Sequence, residues 1–478
     1  MSSLSYCIHA HFYQPPREDP LTGVIPHEIG SAPFSNWNER IHAECYRPNA
    51  ELRNFEQISF NFGPTLLSWM ENHDPDTCRK IYEQDQANVH RHGIGNAIAQ
   101  AYNHTILPLA SYRDKVTQVA WGIADFEYRF KRRPQGMWLP EAAVDMETLE
   151  VLARHGIEFT ILAPWSARAD QIDPTEPYRV NLPGGRSITV FFYQRELSAR
   201  ISFDPGATTN ADSFAQYNIL SGFQKEKLRR NEPQMMIIAS DGELYGHHQY
   251  MRDRFLARLV DGGGFLAGMQ TTFPALWLQS HPPRQTMEIR EPTSWSCHHG
   301  VRRWVGDCAC TPNDGRWKTR LRYTFEQLAI EIDRLYLEVC RSLVEDPWEL
   351  NNRYIHVILQ DCCAEDLINE MAGRTLTSQQ VRRLHLMLEA QRERQRFFTS
   401  CGFYFEDFDR IEPKNNVAYA AQAVRLVRLA TGVDLEPEVT ADLQNVVGQY
   451  SGVRADRVFQ RHLRRAEGVN SVRIGYAD

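Results

Sequence analysis

Over roughly its first 290 residues the chain alternates short apolar runs with amphipathic helical stretches, and no other feature of the sequence limits its fold as tightly. Ser5 to Phe12 reads as a strand. Ile58 to Phe62 is a second, followed by Gly63-Pro64 and a helix through Leu66, Leu67 and Met70. Met137-Trp138-Leu139 is a short strand. The stretch from Val144 to His155 puts Met146, Leu149 and Leu152 on one helical face, with Gly156 as the stop. Glu158 to Leu162, Ser187 to Tyr193 and Met235 to Ala239 complete the strand series. Strands alternating with helices predict βαβ units and a parallel sheet. So many units in one stretch favour a closed or nearly closed barrel.

From Glu291 onward the period changes. Leu321, Phe325, Leu328, Ile332, Leu335, Val339 and Leu343 recur at spacings of three or four, which predicts a long helix over Arg316 to Leu343. Ser378 to Phe398, with Ser378 as cap, is a second helix. Val417 to Ala430, ending at Gly432, is a third, and Glu436 to Tyr450 a fourth. The expected architecture is α/β: a barrel over residues 1–290, then an α-helical bundle over residues 291–478. The three glycines of Asp261 to Gly264 read as a surface turn. The last ~15 residues are polar and expected to be loose.

Charge narrows the partners. A net charge of -7 argues against nucleic-acid binding, which needs surplus Lys and Arg. No basic-then-apolar leader follows Met1, and no window of about 18 apolar residues suggests a membrane span. A cytoplasmic protein is expected. The ten cysteines are scattered, with Cys362 and Cys363 adjacent, and predict free thiols.

In parallel barrels the loops after the strands build the site. Four polar sets sit there. His9 and His11 alternate on the first strand, so both face one side; they suit sugar hydroxyls or a metal pair. Glu141 closes the apolar strand ending Trp138-Leu139-Pro140, where a barrel enzyme would place a nucleophile; it is equally the first-turn acid of the next helix. Met235 to Ser240 runs into Asp241, Glu243, His247 and His248, and burying such carboxyls is costly unless they are paired. Last, Ser294-Trp295-Ser296 precedes Trp304 and Asp307, and indole faces stack on sugar rings. Cys297, His298, Cys308 and Cys310 offer zinc-type ligands, but without the CxxC pairs of structural zinc sites.

Taken together, these sets resemble glycoside hydrolase family 57. Its His-x-His-Gln-Pro run is matched by His9, His11, Gln14 and Pro15, with Phe12 and Tyr13 inserted before the glutamine. Its Trp-Leu-x-Glu motif is matched by Trp138 to Glu141. Its Asp-Gly-Glu stretch is matched by Asp241, Gly242 and Glu243, with Gly246 following. A Ser-Trp stretch with a second Trp nine positions on, found in branching enzymes, is matched by Ser294, Trp295 and Trp304. The glycines usual between the two tryptophans are mostly replaced, by Ser296, Cys297, His298 and His299. Residues beyond ~310 resemble an uncharacterised C-terminal helical domain of one subgroup.

The resemblance implies a (β/α)7 barrel, α-glucan or maltooligosaccharide substrates, anomeric retention and no cofactor or metal. It makes Glu141 the nucleophile and Asp241 the acid/base. His9, His11, Gln14, His104, Trp138, Glu243, His247, Trp295, Trp304 and Asp307 would bind substrate. A metal-dependent deacetylase or α-mannosidase using His9, His11 and Asp241 as ligands is the nearest alternative. A non-catalytic glycan binder is the next.

Overall fold

The computed structural model describes residues 4–468. The stretch expected to be loose falls mostly on residues 469–478, outside the described ones. The chain divides into two units, residues 1–16 with 27–300, and residues 17–26 with 301–478.

In the first unit the strand β1 (Leu4–Phe12) is buried along its whole length. It pairs in parallel with β8 (Gln234–Asp241), from Leu4↔Gln234 to His11↔Asp241. At its far end it pairs in parallel with β2 (Ser59–Phe62), from His9↔Ser59 to Phe12↔Phe62. Strands covered on both faces read as continuous apolar runs rather than alternating ones, and Met235 to Ala239 does so.

Two-residue strands β3 (Ala99–Gln100) and β4 (Met137–Trp138) also pair in parallel. So do β5 (Phe159–Leu162) and β7 (Ser187–Phe192). Single parallel bridges, Phe60↔Ala97 and Gly136↔Phe159, link β2 to β3 and β4 to β5. Helices Pro64–His73, Tyr112–Phe130 and Met146–Arg154 fall between strands, as the alternation predicted.

Two details depart from the sequence reading. An antiparallel strand β6 (Tyr178–Asn181) folds onto β7 and was not foreseen. The Asp261–Gly264 run is helical, not a turn. Its missing side chains leave room for Tyr6, whose hydroxyl donates to the Leu259 carbonyl at 2.7 Å. The class is α/β with helices, as expected, but the described strands lie in separate sheets and no ladder closes them into a barrel. The shortness of β3 and β4 reduces the links there to isolated bridges.

The second unit is helical. Helix Arg316–Cys340 stops short of the expected Leu343 and buries Leu321, Phe325, Leu328, Ile332, Leu335 and Val339, the rest of the predicted apolar stripe. It packs on helix Ser378–Arg396, which packs on helix Ile411–Thr431. Between the first two, Arg394 and Gln391 hold Asp333 at 2.9 and 2.8 Å. The cap of the second helix is Thr377 rather than Ser378, with Gln380 returning the hydrogen bond. The third starts at Ile411, before the expected Val417, because Pro413 is tolerated in a first turn. It stops at left-handed Gly432, as read. The fourth ends at Leu443, short of Tyr450, and Val447 bridges to Arg454 instead.

Candidate active site

Parallel pairing brings the carboxyl ends of the strands to one edge. On that edge His11 lies beside Asn61 of β2 and Asp241 of β8, and Gln100 of β3 lies beside Trp138 of β4. The side chains then form a chain of hydrogen bonds. Asn61 Nδ2 donates to Gln100 Oε1 at 2.6 Å and to His11 Nδ1 at 2.9 Å. With that amide orientation the proton of neutral His11 sits on Nε2, which faces His104 Nε2 at 3.1 Å. His9 Nδ1 meets Ser59 Oγ at 2.9 Å.

Burial keeps these imidazoles uncharged. It lowers His9 and His11 to about 3 and His104 well below the usual range. The rings stack: His9 and His11 lie 4.8 and 5.3 Å from Trp138, and Tyr13 lies 3.7 Å from His104. The predicted same-side placement of His9 and His11 is therefore met. Trp138 is fully buried, so its face packs on histidines. Its Nε1 and His9 Nε2 are buried with no hydrogen-bond partner among the described residues.

Glu141 follows β4 through Leu139 and Pro140. Both Glu141 (φ 58°) and Ala142 (φ 46°) are left-handed, which is uncommon and costs of order 1–3 kcal/mol per residue. The surroundings hold that backbone. Ala142 N–H donates to Leu139 O at 2.8 Å, and Trp295 N–H donates to Glu141 O at 2.9 Å. The carboxylate is held as well: Trp295 Nε1 and Ser296 Oγ both donate to Oε2, at 2.9 and 2.6 Å. Trp295, expected to stack on sugar, thus also grips Glu141.

Asp241 ends β8. Its side chain is exposed, at the end of a strand otherwise buried. Desolvation, joined by the charge of Glu141, pushes its carboxyl up to about 7. The two carboxyls are therefore close enough to feel each other. Glu243 is buried and rises to about 8, from desolvation first and then the charge of Asp241. Its Oε1 accepts from Tyr46 hydroxyl at 2.7 Å and Tyr13 N–H at 3.0 Å.

A wide helical turn, His42–Tyr46, supports this loop; such turns are frequent at functional sites. From it Glu44 pairs with His247 Nδ1 at 2.5 Å, and nearby Asn49 donates to Tyr245 O at 2.7 Å. Gln14 reaches the Tyr46 hydroxyl. A Cβ on Gly242 would lie 2.3 Å from the Phe12 ring, so this position admits only glycine without movement. Gly242→Ala is expected to destabilise the fold by about 1–3 kcal/mol, read by urea unfolding.

The first unit therefore gathers His9, His11, His104, Trp138, Glu141, Trp295, Asp241 and Glu243. Gln14 and His247 sit on the support of the Asp241 loop. Trp304 and Asp307 belong to the second unit. There Trp304 is fully buried near Tyr404, with ring centroids 6.2 Å apart, and Asp307 accepts the Gly315 N–H at 3.1 Å. Packed faces do not suit Trp304 to stacking on a sugar. His298 is exposed, and none of the ten cysteines forms a disulfide, as the scattered spacing predicted. The sequence reading missed Tyr46, Asn61, Gln100 and Ser296. Asn61 was within reach, as a polar residue inside the apolar strand Phe60-Asn61-Phe62.

This is the layout of a carbohydrate-cleaving α/β enzyme: paired carboxyls, one raised and one held by donors, beside neutral imidazoles and indoles. The chain belongs to glycosyl hydrolase family 57, whose model matches residues 9–290. Residues 314–476 match a domain of unknown function, DUF3536. Alpha-amylase 1 of Dictyoglomus thermophilum is 24% identical over 218 residues, which are 44% of this chain and 29% of that one. The chain thus matches under a third of that amylase's length. An exo-type maltose-forming amylase from Pyrococcus sp. ST04 has a similar fold, with TM-score 0.75 at 16% identity, over 96% of this chain and 88% of the other. A branching enzyme from Pyrococcus horikoshii gives 0.64 at 14% identity, over 96% and 95%.

Proposed function

We propose that the protein is a retaining α-glycoside hydrolase or transglycosylase acting on α-glucan, with a (β/α)7 catalytic barrel over residues 1–290 and a helical domain over residues 291–478. The all-parallel links from β1 through β5, and β7 beside β5, support the barrel reading. The named relatives support the substrate class, since they are amylases and a branching enzyme. One observation carries the mechanism: Asp241 is raised to about 7 partly by the charge of Glu141, which marks a coupled acid and nucleophile.

In the first step Glu141 attacks the anomeric carbon and Asp241 gives its proton to the departing glycosidic oxygen. A covalent glycosyl-enzyme forms and the leaving sugar departs. In the second step Asp241, now ionised, takes a proton from water or an acceptor hydroxyl. That oxygen displaces Glu141 at the same carbon, and configuration is retained. Neutral, stacked His11 and His104 suit the wall of a sugar site. Both ring nitrogens of His11 already have protein partners, which disfavours metal ligation by His11.

The first step needs Asp241 protonated. Activity, measured as kcat/KM on maltooligosaccharides, is therefore expected to fall tenfold per unit of pH above about 7, where Asp241 ionises. A rate that stays flat to pH 9 would remove Asp241 from the acid role. A product time course from amylose, with NMR of the anomeric protons, tests the whole reading. First-formed β-anomers, or no reaction on any α-glucan, would sink it. No helix among the described residues is long and apolar enough to cross a membrane.

A further inference from the structure

We propose that the loop over residues 297–310 holds a structural zinc ion, with Cys297, His299, Cys308 and Cys310 as its four ligands. Their ligand atoms, three sulfurs and one imidazole nitrogen, all lie within 4.8 Å of one another. Tetrahedral zinc with Zn–S bonds of about 2.3 Å sets neighbouring ligand atoms about 3.7 Å apart. Movements of about 1 Å therefore close the cluster around one ion.

A buried cysteine by itself is a small apolar side chain, and Cys7, Cys45 and Cys78 fill the core of the first unit in that way. Packing gives no reason for three thiols and an imidazole to converge. The sequence sets them as two pairs, Cys297-x-His299 and Cys308-x-Cys310, each one residue tighter than a CxxC pair. The histidine of the cluster is His299, not the His298 that spacing suggested. Cys297 and Cys308 are buried, Cys310 is half-buried and His299 is exposed. Thiolate and imidazole are the donors zinc takes in structural sites. Four protein ligands leave no position for a reactive water, so the ion braces the loop and does no chemistry.

The loop is shaped around its ligands. Gly300 is left-handed (φ 75°), and a Cβ there would stand 2.7 Å from the Pro292 carbonyl. Ser294 Oγ donates to the Gly300 carbonyl at 2.6 Å. The Cys308 carbonyl accepts the Thr311 N–H at 3.0 Å and the Thr311 hydroxyl at 3.1 Å. Arg303 Nη2 donates to the Cys310 carbonyl. Three thiolates around one Zn2+ leave a net negative charge, and Arg303 offsets it from beside a ligand. Its Nε is buried with no hydrogen-bond partner among the described residues, a donor suited to a thiolate sulfur. Coordination needs no idle atoms. The metal displaces the thiol protons together with any hydrogen bonds they make, and those protons pass to solvent.

The test uses the full chain, reduced and free of any affinity tag, with zinc and cobalt as probes. Protein from zinc-supplemented medium should carry about one zinc per chain. Cobalt(II) added to the metal-free protein should give the intense near-ultraviolet band of thiolate-to-cobalt charge transfer. Chelation should lower the melting temperature, and zinc should restore it. Cys308→Ser and His299→Ala should bind zinc at least about 100-fold more weakly, since even a supporting residue of a metal site is worth 10- to 100-fold. His298→Ala should bind as the wild type does. A wild type that takes up no stoichiometric zinc, or gives no thiolate band with cobalt, overturns the site. So does a Cys308→Ser or His299→Ala protein with wild-type affinity. Should these variants not fold, the cobalt band and the chelator-dependent melting of the wild type decide. Metal content and melting are read without substrate, so the outcome is independent of the roles of Glu141 and Asp241.

Discussion

Glu141→Gln is expected to lower kcat on the best α-glucan by at least about 10³ while the melting temperature stays near that of the wild type. The amide matches the carboxylate in shape, and its oxygen still accepts from Trp295 and Ser296, so the left-handed turn and its clamp have no reason to move. The chemistry has no such substitute, because an amide cannot form the glycosyl ester. A second readout accompanies the loss. Asp241 is raised in part by the charge of Glu141, so the variant should bring Asp241 to a lower pKa, visible by carboxyl NMR titration. Normal turnover in this variant would mean that Glu141 is not the nucleophile.

Asp241→Asn is expected to cost about 10²–10⁴ in kcat on natural glucans, the usual worth of a general acid or base. The cost should shrink on a substrate whose leaving group departs without protonation, such as an activated glycosyl fluoride. If both substrates suffer equally, Asp241 is not the acid. The same variant has a stability signature. A carboxyl raised in the folded state binds its proton more tightly there than in the unfolded chain. It therefore costs nothing below the unfolded value near 4, and destabilises progressively as pH rises through the folded value of about 7. Asp241→Asn removes that penalty. It should melt above the wild type at pH 8.5 and alongside it at pH 4. Glu243, raised to about 8, acts in the same direction in both proteins and does not mask the difference.

The sequence carried the strands of this fold well where they are long and buried. β1 and β8 are apolar runs, and an apolar run ending in Asp-Gly-Glu leaves little choice of where these carboxyls sit. It carried little about β6, which buries alternate residues only and folds back in the antiparallel sense. Closure was expected from the number of units, but no ladder closes the described strands, and two-residue strands such as β3 leave no periodicity to read. In the candidate site, the positions of Glu141, Asp241, His9 and His11 were legible because polar residues interrupt or end apolar strands there.

Trp304 was misjudged for a physical reason. Spacing fixes position in the chain but not exposure, and its indole is packed inside the helical unit. Ser296 and Tyr46 were silent because a hydroxyl gains its role only from what it meets across 155 and 197 positions of chain.

The register of β1 carries one more consequence. His11 stands between Asn61 and Asp241 only while His9 faces Ser59 and Ala239. A slip by a single residue would swing Ala10 and Phe12 into their places and turn both imidazoles to the opposite face. Such a misthreaded molecule would carry two imidazoles among the apolar side chains that now surround Ala10 and Phe12, and it would be inert. Turnover per milligram in a preparation is thus a census of correctly threaded molecules, and it will expose a misassembled fraction that light scattering and circular dichroism would pass as native.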